Sequence, residues 1–148
     1  MPRLFVDDSI DIDAPAYAVW KAITDPVLSK QWVKEFSPEI MSLSSDWKIG
    51  SAVLWNDIVN TPIVEGKVTA NQEHELLRFT VMPVGQKPEV PFKEEDGITF
   101  KLHETEGQTY LSILHGDFGL TPEHKLFHDI SEQTWKRVLP IIKRLAEQ

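Results

Sequence analysis

Residues 10–32 read IDIDAPAYAVWKAITDPVLSKQW, and this stretch holds the first three elements of the chain. Ile10 and Ile12 alternate with Ser9, Asp11 and Asp13, the period-two pattern of a strand with one buried and one wet face. Ala14-Pro15 stops that strand, and the fixed φ of proline suits the first turn of a helix that carries Val19, Trp20 and Ile23 on one stripe. Asp25-Pro26 starts a second short helix, with Asp25 as N-cap, Pro26 as first helical residue, and Leu28 and Trp32 on the same side. Two short helices joined by a tight turn must pack on something larger.

That larger element follows from Ser37 onward as a run of short β segments: 38–43, 50–56, 63–70, 76–81, 98–106 and 110–118. Asp46, Gly50, Asn60-Thr61-Pro62, Asn71 and Glu106-Gly107 punctuate them as consecutive hairpins require, so they read as an antiparallel meander. Leu77, Phe79 and Val81, then Ile98, Phe100 and Leu102, then Leu111, Ile113 and His115 share one parity and define the inner face. The stretch 82–97, with Pro83, Gly85, Pro88, Pro91 and the acidic turn Glu94-Glu95-Asp96-Gly97, reads as a long loop, either a lid or a plain insertion. Its acidic turn and Asp7-Asp8 are expected at solvated positions.

A long helix closes the chain, with Thr121 as N-cap and Pro122 at its first position. Leu126, Phe127, Ile130, Thr134, Val138, Ile141, Ile142 and Leu145 recur at helical spacing and predict one buried stripe. Lys136, Arg137, Lys143 and Arg144 form a solvated face near the end that cations favour. Pro140 removes the hydrogen bond to the Lys136 carbonyl and is expected to bend the helix.

Composition narrows the function. The 148 residues fit one domain spanning 1–148, long enough to bury about 70% of its unfolded surface. Fifteen Lys and Arg against 23 Asp and Glu give a net charge of −8, which disfavours nucleic-acid and anionic-membrane partners. The absence of cysteine excludes disulfides, thiolate nucleophiles and Cys-bound metal, and leans towards the cytoplasm. The longest apolar run, Ala16 to Trp20, is far short of a membrane span.

Motifs of nucleophile elbows and phosphate-binding loops are missing, so no catalytic residue and no cofactor is assigned. His124 and His128 stand at i,i+4 but lack a third ligand, and read as surface histidines rather than a metal site. His74 and His103 read as solvated. His115 differs, because its inward parity places a titratable ring in the interior, where it must find a hydrogen-bond partner or meet a ligand. The five tryptophans read as packing residues, or else Trp32, Trp55 and Trp135 line an apolar pocket together with Phe36, Phe79 and Phe127.

Strand, two short helices, a meander and a long closing helix is the element order of the helix-grip fold, an α+β architecture in which a curved antiparallel sheet wraps the C-terminal helix. The residues sharpen the likeness. Ile10 to Pro15, Val19 to Pro26 with Gln31-Trp32, Ile49-Gly50-Ser51, Val64 to Val68, Leu77 to Thr80, Tyr110 to Phe118, and Trp135 with Val138-Leu139 and Ile142-Lys143 resemble the family related to the activator of Hsp90 ATPase, within the START/Bet v 1-like superfamily. The resemblance covers nearly the whole chain. It departs at Thr134, where many relatives carry glycine before the closing-helix Trp, which should narrow the space against the sheet, and in the long 82–97 connection.

The resemblance implies a cavity between sheet and helix that takes a hydrophobic or amphipathic small molecule. Its expected lining is Trp32, Phe36, Trp55, Phe79, Phe100, Ile113, His115, Phe127, Ile130, Thr134 and Trp135. Two other readings stay open: a cyclase-like or hydrolase-like enzyme with His115 as general acid or base, and a co-chaperone-like domain that meets an Hsp90-type ATPase through an exposed apolar patch.

Overall fold

The computed structural model describes residues 3–87, 91–119 and 123–148. Strand β1 (Val6–Ile12) leads into α1 (Ala16–Thr24), α2 (Pro26–Val33) and a 3-10 turn over Lys34–Phe36. Strands β2 (Ser42–Ser44), β3 (Ala52–Asn56), β4 (Pro62–Gln72), β5 (Leu76–Phe79), β6 (Met82–Pro83), β7 (Gly97–Thr105) and β8 (Gln108–Gly116) follow, and α3 (His124–Glu147) closes the chain. The sheet runs β1-β8-β7-β5-β4-β3-β2, entirely antiparallel, with β6 paired to β4. It curls as a half-barrel against α3, which gives the α+β helix-grip architecture that the element order predicts. None of the described helices is long and apolar enough to cross a membrane.

The local chemistry explains most boundaries. Asp25 caps α2, its Oδ1 accepting from the Val27 and Leu28 backbone N–H groups, with Pro26 as first helical residue. Glu106 and Gly107, both at positive φ, form the two-residue turn that joins β7 to β8 and sets their register at Thr105↔Gln108. Strand β4 changes partners along its length. Its first half pairs with β3 and β6 and its second half with β5, with a register shift between Val68 and Ala70 that marks a bulge. The crossover is tight, since a Cβ at Gly66 would lie 1.6 Å from the Thr80 carbonyl oxygen.

The inner face follows the predicted parity. Leu77, Phe79, Ile98, Phe100, Leu111 and Ile113 are all buried, and Val138, Leu139, Ile142 and Leu145 of α3 pack in the same core. Several expectations are corrected. The first β segment shrinks from 38–43 to Ser42–Ser44, because the Ser37 carbonyl accepts from the Ile40 N–H in a turn. The 82–97 stretch is not all loop, since Met82 pairs with Glu65 and Pro83 with Val64. Asp96 is buried rather than solvated. Its Oδ1 accepts from Arg3 Nη2 at 2.8 Å and its Oδ2 from the Lys93 backbone N–H at 2.7 Å, so an ion pair holds the acidic turn to the start of the chain.

The buried stripe of α3 begins only at Thr134. Leu126, Phe127 and Ile130 are exposed, although they continue the same periodicity. The helix runs unbroken through Pro140, where a bend is expected. Pro140 and Lys136 both lie at exposed positions, so the lost hydrogen bond faces water. The expected cap at Thr121-Pro122 falls outside the described residues, and Glu123 precedes the first helical residue with φ 54°.

Candidate functional site

Aromatic side chains from seven elements converge between the sheet and the helices. Phe36, on the 3-10 turn, is the hub of this layer. Its ring centroid lies 5.0 Å from that of Trp55 on β3, 5.2 Å from Trp135 on α3, 6.4 Å from Trp32 on α2 and 6.5 Å from His115 on β8. Behind it, Phe100 on β7 stands 5.9 Å from Trp32 and 5.7 Å from Trp135, and Phe79 stands 6.3 Å from Phe100. Most of these pairs meet edge to face, the arrangement that the ring quadrupoles favour. Trp32, Phe79, Phe100 and Trp135 have no measurable exposure, whereas Phe36 is half-buried.

Position along the chain explains why Phe36 differs from its neighbours. The others stand on strands of the sheet or on α-helices, but Phe36 sits at the end of a three-residue turn. Arg137 of α3 supplies the tether, with Nε donating to Glu35 Oε1 at 3.3 Å and Nη2 to the Glu35 carbonyl at 3.4 Å. An ion pair this exposed is worth about 0–1 kcal/mol, so the turn is held lightly.

Polar groups in the layer are few and well defined. Trp135 Nε1–H donates to His115 Nδ1 at 3.1 Å. Because indole is only a donor, His115 must present a lone pair at Nδ1, which makes it the neutral Nε2–H tautomer. Burial pushes the His115 pKa down to about 3, as expected for an imidazole enclosed by Phe36, Phe118 and Trp135. His115 is therefore the satisfied interior histidine of the sequence reading. In this tautomer the Nδ1 lone pair is taken up by the indole and Nε2 carries the proton.

Three other tryptophans are settled in different ways. Trp32 Nε1–H donates to the Ala22 carbonyl at 3.0 Å and Trp47 Nε1–H to the Thr24 carbonyl at 3.2 Å. Trp55 is 4% exposed, and its buried Nε1–H has no hydrogen-bond partner among the described residues. The buried Ser29 Oγ on α2 is likewise without one. A buried polar group left unpaired costs about 1–3 kcal/mol, so each needs a reason to persist. No sequence signal marks this feature: a strand tryptophan reads the same whether or not its N–H is satisfied.

Of the eleven residues expected to line a cavity, Trp32, Phe36, Trp55, Phe79, Phe100, Ile113, His115, Thr134 and Trp135 come together between sheet and helices. Phe127 and Ile130 do not, being 46% and 54% exposed on the first turns of α3. Thr134 is buried, and its hydroxyl donates to the Ile130 carbonyl at 3.0 Å within its own helix. A hollow of about 340 Å³ lies elsewhere, on the outer face near the end of the β7–β8 hairpin, lined by Asp11, His103, Thr105, Glu106, Gln108, Thr109 and Tyr110. No group of three or more potential metal ligands occurs among the described residues. His128 is half-buried rather than free, with Nε2 3.0 Å from the Phe5 carbonyl oxygen and Nδ1 3.0 Å from Asp129 Oδ1.

A curled sheet gripping a long C-terminal helix, with an aromatic layer between them, defines a helix-grip protein. The chain belongs to the family of Activator of Hsp90 ATPase homolog 1-like proteins, which it matches over residues 13–147. Among solved structures it is similar to the Aha1 dimer from Colwellia psychrerythraea, at 18% identity and a TM-score of 0.71, with 97% of this chain and 96% of that one covered. A protein from Mesorhizobium loti gives 19% identity, a TM-score of 0.71 and 95% coverage of both chains. DynU16, described as a protein in the dynemicin biosynthetic locus, gives 18% identity and a TM-score of 0.72; the match takes in 99% of this chain and 48% of that one. At these identities the likeness shows the fold. No curated protein sequence matches the chain. A fold of this kind fits a ligand-binding domain.

Proposed function

We propose that the protein binds a small hydrophobic or amphipathic molecule in the aromatic layer between the sheet and α3, and that Phe36 fills this place until the molecule arrives. The position of Phe36 carries the reading. It is a half-buried ring set against the buried Trp32, Trp55 and Trp135, and it stands on a short turn held by an exposed ion pair. Swinging this turn outward, at the expense of the Arg137–Glu35 contacts, uncovers the faces of Trp55, Trp135 and His115 that Phe36 packs against and leaves the strands and α-helices in place. Apolar burial supplies the affinity, at about 25 cal/mol per Å² before the cost of ordering the guest. Likeness to a protein of a biosynthetic locus supports a small-molecule role, and the lack of cysteine accords with work in the cytoplasm. Native mass spectrometry of the full chain purified from its natural host tests the reading. A retained guest of a few hundred daltons is expected; the bare chain mass, together with no binding of any small apolar molecule in a screen, would overturn it.

A second reading rests on the exposed Leu126, Phe127 and Ile130, three apolar side chains on one face of α3. An Hsp90-type ATPase is the partner that the family description names, and such a partner would use this face. Capture of the purified chaperone by the wild-type chain, lost in a Phe127→Ser variant, is the expected result; equal recovery with both chains, or none with either, counts against it.

A further inference from the structure

We infer that the molecule bound in the aromatic layer is recognised through a hydrogen-bond acceptor, and that Trp55 Nε1–H is the donor that selects it. The inference rests on the site proposed above and adds the chemistry of its guest. Four of the five tryptophans have evident reasons for where they stand. The indole N–H groups of Trp32, Trp47 and Trp135 are bonded to Ala22, Thr24 and His115, and Trp20 packs edge-on against His74. Trp55 alone is a buried indole whose donor is left unsatisfied among the described residues. It is also the indole that Phe36 covers most closely, at 5.0 Å between centroids.

The cost of that arrangement is the physical point. A phenylalanine in its place would fill much of the same space and bury no donor, so packing alone does not call for tryptophan. A guest that replaces the Phe36 ring brings its own atoms against the indole, and one with a carbonyl, ether or ring-nitrogen acceptor removes the penalty that the guest-free protein carries. An all-hydrocarbon guest leaves it in place. The class is therefore a compact ring or chain of phenyl size bearing one neutral acceptor. Anions are disfavoured, because among the described residues the rings around Phe36 include no cation, His115 is the neutral ring bonded to Trp135, and Arg137 at the edge is engaged by Glu35.

The test uses two molecules of one shape. Cyclohexanone and methylenecyclohexane differ by an oxygen for a methylene group, and both fit the space that Phe36→Ala opens. Their affinities for the full-length Phe36→Ala chain are measured by calorimetry, then repeated with Trp55→Phe added. The readout is the ratio of the two affinities, so that the greater hydration of the ketone cancels between proteins. With Trp55 present the ratio should favour the ketone by about two- to twelvefold more than with phenylalanine there. An unchanged ratio overturns the donor role and leaves the site standing. Failure of both molecules to bind overturns the site itself and this inference with it. Should Phe36→Ala fail to fold, Phe36→Leu opens a smaller space for the same comparison.

Discussion

Replacing His115 with asparagine tests the interior of the protein through pH. The asparagine side-chain oxygen occupies the place of Nδ1, accepts from Trp135 Nε1–H, and does not titrate. In the folded wild type, burial holds the His115 pKa down to about 3, while the unfolded chain titrates at the ordinary histidine value of 6.5. Above that value both states are neutral, and the stability that comes from a neutral buried ring is fully present. As pH falls towards 3, the unfolded chain takes up a proton that the folded chain refuses, and stability falls with it. At 1.36 kcal/mol per unit, the loss between pH 7 and pH 5 is about 2 kcal/mol, growing to about 3 kcal/mol by pH 4. Asp46, Asp129 and Glu147 are held below the usual carboxylate range by hydrogen bonds from Ser51, His128 and Lys143 respectively, and also lose stability in acid. They are common to both proteins and cancel in the difference. Urea unfolding followed by tryptophan fluorescence at each pH provides the assay. The variant should be less stable at pH 7, where ring atoms are missing, yet lose about 2 kcal/mol less than wild type on going to pH 5. Equal losses in the two proteins would refute the enclosed, neutral histidine.

Other perturbations separate core from surface. Ile142→Ala should cost about 2–5 kcal/mol, whereas Ile130→Ser, about three turns earlier on the same periodic stripe, should stay within about 0.5 kcal/mol, both by chemical denaturation. Arg3→Ala leaves the buried Asp96 carboxylate without its cation; a loss of about 1–3 kcal/mol and faster amide exchange at Lys93, whose N–H bonds Asp96, are expected. Gly66→Ala places a methyl group against the Thr80 carbonyl and should cost about 3 kcal/mol or more; a variant as stable as wild type would mean that β4 and the segment after β5 do not cross so closely.

The fold is legible in the sequence where periodicity and turn chemistry agree. Ile10 and Ile12, the Asp25-Pro26 cap, the Glu106-Gly107 turn and the Leu77-Phe79, Ile98-Phe100 and Leu111-Ile113 pairs each state their role locally, and each stands where that reading places it. Periodicity fails at Leu126, Phe127 and Ile130, because a stripe shows which way side chains face and not how far the opposing layer extends. Charge pattern fails at Asp96, since a carboxylate in an acidic run is buried here by Arg3, 93 residues away in sequence. The aromatic residues of the candidate site could be listed from parity, but their division of labour could not. Only three-dimensional contacts reveal that the Trp135 indole is bonded to His115, that the Trp55 Nε1–H has no partner among the described residues, and that Phe36 stands at the centre on a lightly held turn.

The account depends on the aromatic layer giving way at Phe36 to admit a molecule. The most direct measurement is the indole N–H region of the nuclear magnetic resonance spectrum of the wild-type chain, where five tryptophans give five signals, recorded as cyclohexanone is added. Saturable shifts of the Trp55 and Trp135 signals, with those of Trp20 and Trp47 unmoved, are the predicted result. Signals of Trp55 and Trp135 that stay fixed at every concentration would contradict it.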